Sequence, residues 1–210
     1  MLAILSTILS ITILELMLSV DNALVNASLA EDLPPRLQKK AIYFGIAAGA
    51  VLRVVCLFLA TLIINYPLIK VAGALYLCYL AYSHFAMSHG EAKELRKHPH
   101  FYKVIGEIAL ADLVFSIDNV VGAVGISSHF SYVVFGVLAG ITTMIFVTPL
   151  MLVLMNKSPN LIKTAYGVIG YVGLSILVDV FFHFHVPEVI TFVAILLAIS
   201  ITMYRDRKRA

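Results

Sequence analysis

The sequence predicts an all-α integral membrane protein with seven transmembrane helices, and three observations lead to that fold class. Hydrophobic residues make up 61% of the chain, charged residues make up only 13%, and the mean hydropathy is +0.97. A soluble domain of 210 residues needs more charge to cover its surface. The apolar residues form long continuous runs, which suit spanning helices and differ from the alternating pattern of barrel strands.

Seven apolar runs are long enough to cross a bilayer, which takes about 20 helical residues. Proline, asparagine and charged residues, which are typical of turns, separate the runs. The first run carries acidic residues and lacks a basic leader, so we expect a retained helix rather than a signal peptide. The predicted spans are residues 2–29, 41–64, 67–88, 104–126, 130–155, 161–182 and 187–204.

Lysine and arginine residues predict the orientation of these spans. They cluster after the first, third, fifth and seventh spans, whereas residues 127–131 and 183–187 contain none and Lys70 is the one exception. By the positive-inside rule, the N-terminus is expected outside the cell and the C-terminus in the cytoplasm. The net charge of +3 therefore predicts contact with anionic lipid, and no nucleic-acid partner is expected.

An internal repeat divides the chain into two similar halves. Residues 15–22 read ELMLSVDN and residues 112–119 read DLVFSIDN, so every position is identical or conservatively replaced. Because each copy contains three spans, an odd number, the second copy must cross the membrane in the opposite direction. Many secondary transporters share this inverted arrangement, and their substrate sites lie where the repeats meet. The predicted single transmembrane domain, residues 1–210, has repeat one at about 1–88, a cytoplasmic linker at about 89–103, repeat two at about 104–182 and a last helix at about 187–204.

Matched glycine pairs occur in the second span of each repeat, Gly45 with Gly49 and Gly136 with Gly140. Small residues at this spacing allow helices to approach closely. Taken alone, they favour simple helix packing over any role in transport.

Four carboxylates lie deep in the first and fourth spans: Glu15, Asp21, Asp112 and Asp118. Each costs about 2.5 to 3.5 kcal/mol at the centre of a spanning helix, so we expect all four to face the interior of the bundle. Arg53 is the only deep cation, and its charge balances one carboxylate at most, so we assign it a counter-ion or gating role. The remaining negative charge requires protons, a bound cation, or both.

Helix geometry leaves two arrangements open for these carboxylates. Glu15 shares a helix face with Ser19 and Asn22, whereas Asp21 points to a different face. Either the helix unwinds near the serine so that both carboxylates meet one ion, or one carboxylate coordinates while its partner carries protons or pairs with Arg53. Carboxylate and amide oxygens suit hard cations such as Mg²⁺, Ca²⁺ or Mn²⁺, although sodium or protons alone stay open.

The duplicated acidic-x5-Asp-Asn motif, in a chain of about seven spans, resembles the TerC family of bacterial membrane proteins. The resemblance covers essentially the whole chain and implies export of manganese across the bacterial cytoplasmic (inner) membrane. Asp112 replaces Glu15 in the second copy and is shorter by one methylene, so the two half-sites need not be equivalent. The resemblance implies metal-site positions at Glu15, Asp21, Asn22, Asp112, Asp118 and Asn119.

We therefore expect a transporter rather than an enzyme, an antiporter that exports Mn²⁺ in exchange for protons and carries no prosthetic group. Its expected partners are the metal ion and the lipid bilayer, and a homo-oligomer is left open. Glu107 and Asp179 are pathway candidates at the two ends of the bundle, although snorkelling to the interface explains Glu107 more simply and a solvated helix end explains Asp179 more simply. His183 and His185 accompany Asp179 in the outer loop.

Three other functions remain as alternatives. An intramembrane hydrolase could use paired aspartates, but no catalytic loop of the Gly-Asp type is present in the sequence. A membrane scaffold or chaperone in metal handling would bind metal without transporting it. An exporter of small organic solutes would need more basic residues than Arg53 to hold an anionic substrate.

Overall fold

The structure is a computed structural model, and it describes residues 2–31, 33–59, 66–87, 100–126 and 130–209. These ranges contain helices and no strand, which confirms the predicted all-α class. The helices are α1 (Leu2–Glu31), α2 (Pro35–Phe58), α3 (Pro67–Met87), α4 (Phe101–Ile126), α5 (Phe130–Lys157), α6 (Asn160–Phe182) and α7 (Glu188–Arg209).

Four described helical segments are long and apolar enough to cross a membrane: Pro67–Ala86, Val134–Lys157, Asn160–Phe182 and Glu188–Lys208. The spans predicted in α1, α2 and α4 stay predictions. The side-chain distribution is that of a membrane protein, because many large apolar side chains are exposed whereas Glu15, Arg53 and Asp112 are buried. Leu68 is 78% exposed and Phe146 is 72% exposed, whereas Arg53 is 1% exposed.

Two helices extend well beyond their predicted apolar runs. α2 begins at Pro35, before the run that starts at residue 41, because proline fits the first turn of a helix. α7 continues to Arg209, beyond the run that ends at residue 204. Helical hydrogen bonding does not stop where the sequence becomes polar, so an apolar run marks only part of a helix. The end of the second predicted run and most of the linker lie outside the described residues.

The helices pack mainly in three pairs: α1 with α5, α2 with α4, and α3 with α6. Each pair joins a helix of the first predicted repeat to a helix of the second. α1 also contacts α2, α4, α6 and α7, and every residue from 21 to 30 is buried. α1 is therefore the central helix, and its polar side chains must find partners inside the bundle.

Candidate functional site

Arg53 joins α1, α2 and α4 through its buried guanidinium. Its Nη1 lies 3.4 Å from Oε2 of Glu15, and its Nη2 lies 2.9 Å from Oδ1 of Asp112. Its Nε donates a hydrogen bond of 2.8 Å to Oγ of Ser116. Both carboxylates are fully buried, at 1% and 2% exposure. A buried charge is tolerated only when it is paired and hydrogen bonded, and these contacts meet that requirement for Arg53.

Ser19 and Ser116 occupy equivalent places, one helical turn after Glu15 and Asp112. Each hydroxyl donates to the backbone carbonyl of the acidic residue in the preceding turn. Ser19 also lies 3.2 Å from the carbonyl oxygen of Gly140 on α5. In both helices, the face predicted from the spacing of the acid and the serine is therefore directed at the Arg53 centre, which we define as Arg53, Glu15, Asp112 and Ser116.

Two glycines make room for the carboxylates of the Arg53 centre. A Cβ atom at Gly49 would lie 2.5 Å from Oδ2 of Asp112, and one at Gly140 would lie 2.7 Å from Oε2 of Glu15. Both distances are shorter than real Cβ contacts, so even alanine would force a shift. The sequence favoured simple packing for these glycines, but the structure places them directly against the two acidic groups.

Several buried polar atoms near this face of α1 have no hydrogen-bond partner among the described residues. They include Oε1 of Glu15, both amide atoms of Asn22 and Nδ2 of Asn26. Oγ1 of Thr148 on α5 is in the same condition. Native proteins leave few buried polar atoms unsatisfied. The Arg53 centre also has two carboxylates for one guanidinium, so one negative charge is not balanced. A proton, a cation or water could bind there and satisfy this charge and the unpaired oxygen of Glu15.

Asp21 lies on a different face of α1 and lines a separate cavity. α1 is an uninterrupted helix through Ser19, and α4 is uninterrupted through Ser116. Glu15 and Asp112 contact Arg53 without any break in either helix, and which of the two arrangements holds an ion stays a prediction. The side chains of Asp118 and Asn119 lie outside the described residues.

Within the described ranges, no group of three or more His, Cys, Asp or Glu side chains is arranged to hold a metal ion. The guanidinium of Arg53 instead lies between Glu15 and Asp112. The metal-site assignment made from the sequence therefore stays a prediction.

Residues 2–209 match the family described as the integral membrane protein TerC family. The chain belongs to the TerC family. It is 33% identical over 203 residues to the "Uncharacterized membrane protein YceF" of Bacillus subtilis (strain 168), which covers 92% of this chain and 79% of that protein. It is 28% identical to the "Uncharacterized membrane protein YkoY" of the same organism, over 78% of this chain and 56% of that protein.

A further relative is the "UPF0053 inner membrane protein YoaE" of Escherichia coli (strain K12), 25% identical over 96% of this chain and 42% of that protein. The TerC chain thus spans about half the length of these last two relatives. No solved structure matches it. The family confirms the resemblance drawn from the duplicated motif and shows that the chain is an integral membrane protein.

The two pathway candidates of this TerC protein lie near helix ends. Oε1 of Glu107 lies 3.7 Å from Nζ of Lys103 within the start of α4, and the lysine is 69% exposed. Oδ1 of Asp179 lies 3.6 Å from Nδ1 of His185, close to the end of α6. Asp179 also lines the same cavity as Asp21, which links it to a deep carboxylate.

Sequence reasoning missed Glu188, which lines this cavity together with Asp21 and Asp179. Glu188 follows Pro187 in the first turn of α7, where an acidic residue ordinarily complements the helix dipole. Because this local role already explains an acidic residue at position 188, the sequence does not indicate that its side chain lines a cavity. Only the packing of α7 against α1 and α6 brings the side chain to the cavity.

Proposed function

We propose that this TerC protein exports a divalent metal cation from the cytoplasm, with Mn²⁺ as the expected substrate and inward-moving protons as the coupled ion. The observation that carries the proposal is the Arg53 centre. Two buried carboxylates, contributed by equivalent positions of the duplicated motif, converge on one guanidinium that balances only half of their charge. Hard oxygen ligands of this kind suit Mn²⁺ better than they suit a soft metal.

In this proposal, Arg53 acts as an internal replacement for the substrate. Its guanidinium contacts both Glu15 and Asp112 in the structure, where a divalent cation would have to lie to use both carboxylates. A carrier that returns without substrate must keep its acidic groups neutralised, since unpaired charges within a bilayer are costly. Cation binding would displace the guanidinium, and cation release would allow it to return.

Proton coupling follows from the energy that export requires. Moving two positive charges outward against an inside-negative potential costs about 4.6 kcal/mol per 100 mV. The sequence contains no nucleotide-binding motif to supply this energy. Glu15 and Asp112 would carry protons inward after the metal leaves, and an exchange of two protons for one divalent cation would move no net charge.

The helix pairing supports the 3+3 inverted repeat that this mechanism needs. In an inverted repeat, α1 is equivalent to α4, α2 to α5 and α3 to α6. The α1–α5 pair then corresponds to the α4–α2 pair, and the α3–α6 pair corresponds to itself. The same equivalence relates the Gly140–Glu15 approach to the Gly49–Asp112 approach. We propose seven spans with the N-terminus outside and the C-terminus in the cytoplasm. An inner-membrane location agrees with the name of the Escherichia coli relative.

An exporter of organic anions is less well supported, because the guanidinium of Arg53 already binds groups of the protein. Nε, Nη1 and Nη2 of Arg53 each contact a protein group. An anionic substrate would have to displace a carboxylate from the same position. A metal cation would displace only the guanidinium and would gain both carboxylates as ligands.

The proposal is tested by Mn²⁺ transport into and out of proteoliposomes, with and without a pH gradient. Wild-type protein is expected to move Mn²⁺ faster when protons can move in the opposite direction. Glu15→Gln and Asp112→Asn each remove one charge with little change of shape, and each is expected to reduce the rate to that of protein-free liposomes. Asp206→Asn, at the far end of α7, removes the same charge and should leave transport intact. Mn²⁺ movement by wild type that is no faster than in protein-free liposomes would overturn the proposal.

A further inference from the structure

A cavity of about 70 Å³ lies between α1, α4, α6 and α7, beside the connection from α6 to α7. This volume accommodates several water molecules. Its acidic lining consists of Asp21 from α1, Asp179 from α6 and Glu188 from α7, and His185 lies in the connection. Ser175 and Thr191 add two hydroxyl groups, whereas Leu18 and Phe115 are among its apolar lining residues.

Asp21 distinguishes this cavity from an ordinary acidic helix end. Asp21 is only 6% exposed, and its side chain lines the cavity. Its Oδ1 accepts a hydrogen bond of 2.8 Å from the adjacent backbone amide of Asn22, and no ion pair with Asp21 is found among the described residues. A deeply buried carboxylate without a cationic partner is costly, so its accessible oxygen needs a cation, a proton or water in the cavity.

The cavity extends from the interior of the bundle to the surface. Asp21 is buried on the central helix α1. Asp179 and His185 lie at the connection between α6 and α7, where His185 is 61% exposed. The lining therefore joins a buried carboxylate of the central helix to the surface.

We propose that this cavity is a vestibule in which a hydrated divalent cation is held as it leaves the protein. The proposal rests on the export function proposed above, with the α6–α7 connection on the outer side of the membrane. Three carboxylates supply the attraction, and the hydroxyl groups of Ser175 and Thr191 can hydrogen bond to water bound by the ion. Small divalent cations lose water reluctantly and are commonly held through one or two carboxylates with several waters retained.

Weak binding suits this position. The described side chains do not form a three-ligand metal cage, so the vestibule cannot hold a dehydrated ion tightly in the conformation observed. A pathway site must attract an ion and also release it quickly. One consequence is specific to a vestibule: a divalent cation supplied from the outer side should occupy it and slow export.

The first test measures this inhibition in proteoliposomes of defined orientation. The rate of Mn²⁺ export is measured at increasing concentrations of Mn²⁺ on the outer side, with no other divalent cation present. For the double variant Asp179→Asn/Glu188→Gln, we expect the outer-side concentration that halves export to rise about tenfold, because two of the three attracting charges are gone. The control Asp206→Asn removes a carboxylate at the opposite end of α7 and should behave like wild type. Equal inhibition of the double variant and wild type would overturn the vestibule.

The second test separates this proposal from the export function. Purified wild type, the double variant and Glu15→Gln are titrated with Mn²⁺ alone, and the free ion is measured by electron paramagnetic resonance. We expect a weak class of bound Mn²⁺ that the double variant loses and Glu15→Gln keeps. Loss in Glu15→Gln with retention in the double variant would overturn the vestibule and leave the export function standing.

Two further outcomes complete the second test. Loss of the weak class only in the double variant, with no transport by wild type, would overturn the export function and leave the vestibule as a cation site. Should the double variant not purify as a folded protein, Glu188→Gln alone takes its place. Glu188 is partly exposed at the start of α7, so its replacement disturbs packing least.

Discussion

The Arg53 centre and the vestibule differ in how the bundle meets the charge of a buried acid. At the Arg53 centre, Glu15 and Asp112 meet an internal guanidinium, and glycine backbone packs tightly against them. In the vestibule, Asp21 meets a cavity that reaches the surface. Glu15 and Asp21 belong to one motif on one helix, and the six residues between them place the two side chains on different faces. Glu15 is therefore paired with Arg53, whereas Asp21 lines the cavity.

The two acids of the repeated motif have separate structural roles. Its first acid contacts Arg53 in both copies, and the serine of the second copy contacts Arg53 as well. Its second acid in the first copy defines the face that opens to the vestibule. If the two regions really differ in this way, substitutions at the Arg53 centre should change stability strongly, whereas substitutions in the vestibule should change ion handling with little loss of stability.

The largest effect is expected for Arg53→Met. Removing the guanidinium leaves Glu15 and Asp112 buried without a cation, and breaking a buried pair in this way costs about 3 to 5 kcal/mol. We expect a large fall in the thermal stability of the purified protein and loss of Mn²⁺ transport. Adding Glu15→Gln to Arg53→Met should restore part of the stability, because one of the two unpaired charges is then gone. Wild-type stability and transport in Arg53→Met would show that the internal cation is dispensable.

A smaller but still large effect is expected for Gly140→Ala. Its new Cβ would lie 2.7 Å from Oε2 of Glu15 and 3.4 Å from Nη1 of Arg53, so the ion pair must shift. Overpacking of this kind costs about 1 to 3 kcal/mol. Gly167→Ala is the matched control, because a Cβ at Gly167 meets no atom within 4 Å. Alanine should stabilise that helical position by up to about 1 kcal/mol. Thermal unfolding of the two variants measures the contrast, and equal stabilities would argue against tight packing at the Arg53 centre.

A moderate difference is expected between the two carboxylates of the Arg53 centre. Asp112 lies 2.9 Å from the guanidinium and Glu15 lies 3.4 Å from it. Hydrogen bonds to charged groups contribute about 1.5 to 3 kcal/mol, and they weaken as the contact lengthens. Asp112→Asn should therefore lower thermal stability more than Glu15→Gln does, although both should abolish Mn²⁺ transport. The reverse order of stability would mean that Glu15 is the principal partner of Arg53.

The sequence predicted most of what determines the fold and part of the site. The all-α class, the helix positions and the burial of Glu15, Asp21 and Asp112 follow from apolar runs and from the cost of charge in a bilayer. The face shared by Asp112 and Ser116 follows from helical spacing. The simultaneous contact of Arg53 with two carboxylates could not be predicted, because spacing within one helix carries no information about which helices pack together.

Glu188 shows the same limit more sharply. Its position after Pro187 has a sufficient local explanation as a helix start, so nothing in the sequence pointed to the interior. Its place beside Asp21 depends on the packing of α7 against α1 and α6. Whether the first or fourth span unwinds was left open for the same reason, since the motif is compatible with a continuous helix and with a broken one.

The smallest effect is expected at Glu107, which tests whether the contrast between buried and exposed acids extends to the other end of the bundle. Glu107 pairs with Lys103 at 3.7 Å, one turn apart on α4, and the lysine is 69% exposed. Exposed pairs at this spacing contribute about 0.5 kcal/mol or less, because water and salt screen them. Glu107→Gln should therefore leave thermal stability nearly unchanged, and the remaining difference should vanish at high salt. Transport decides whether the side chain has a second role: a solvated helix start predicts a wild-type rate of Mn²⁺ export. A marked fall in export without loss of stability would instead place Glu107 on the cytoplasmic side of the ion pathway, as a counterpart of Asp179.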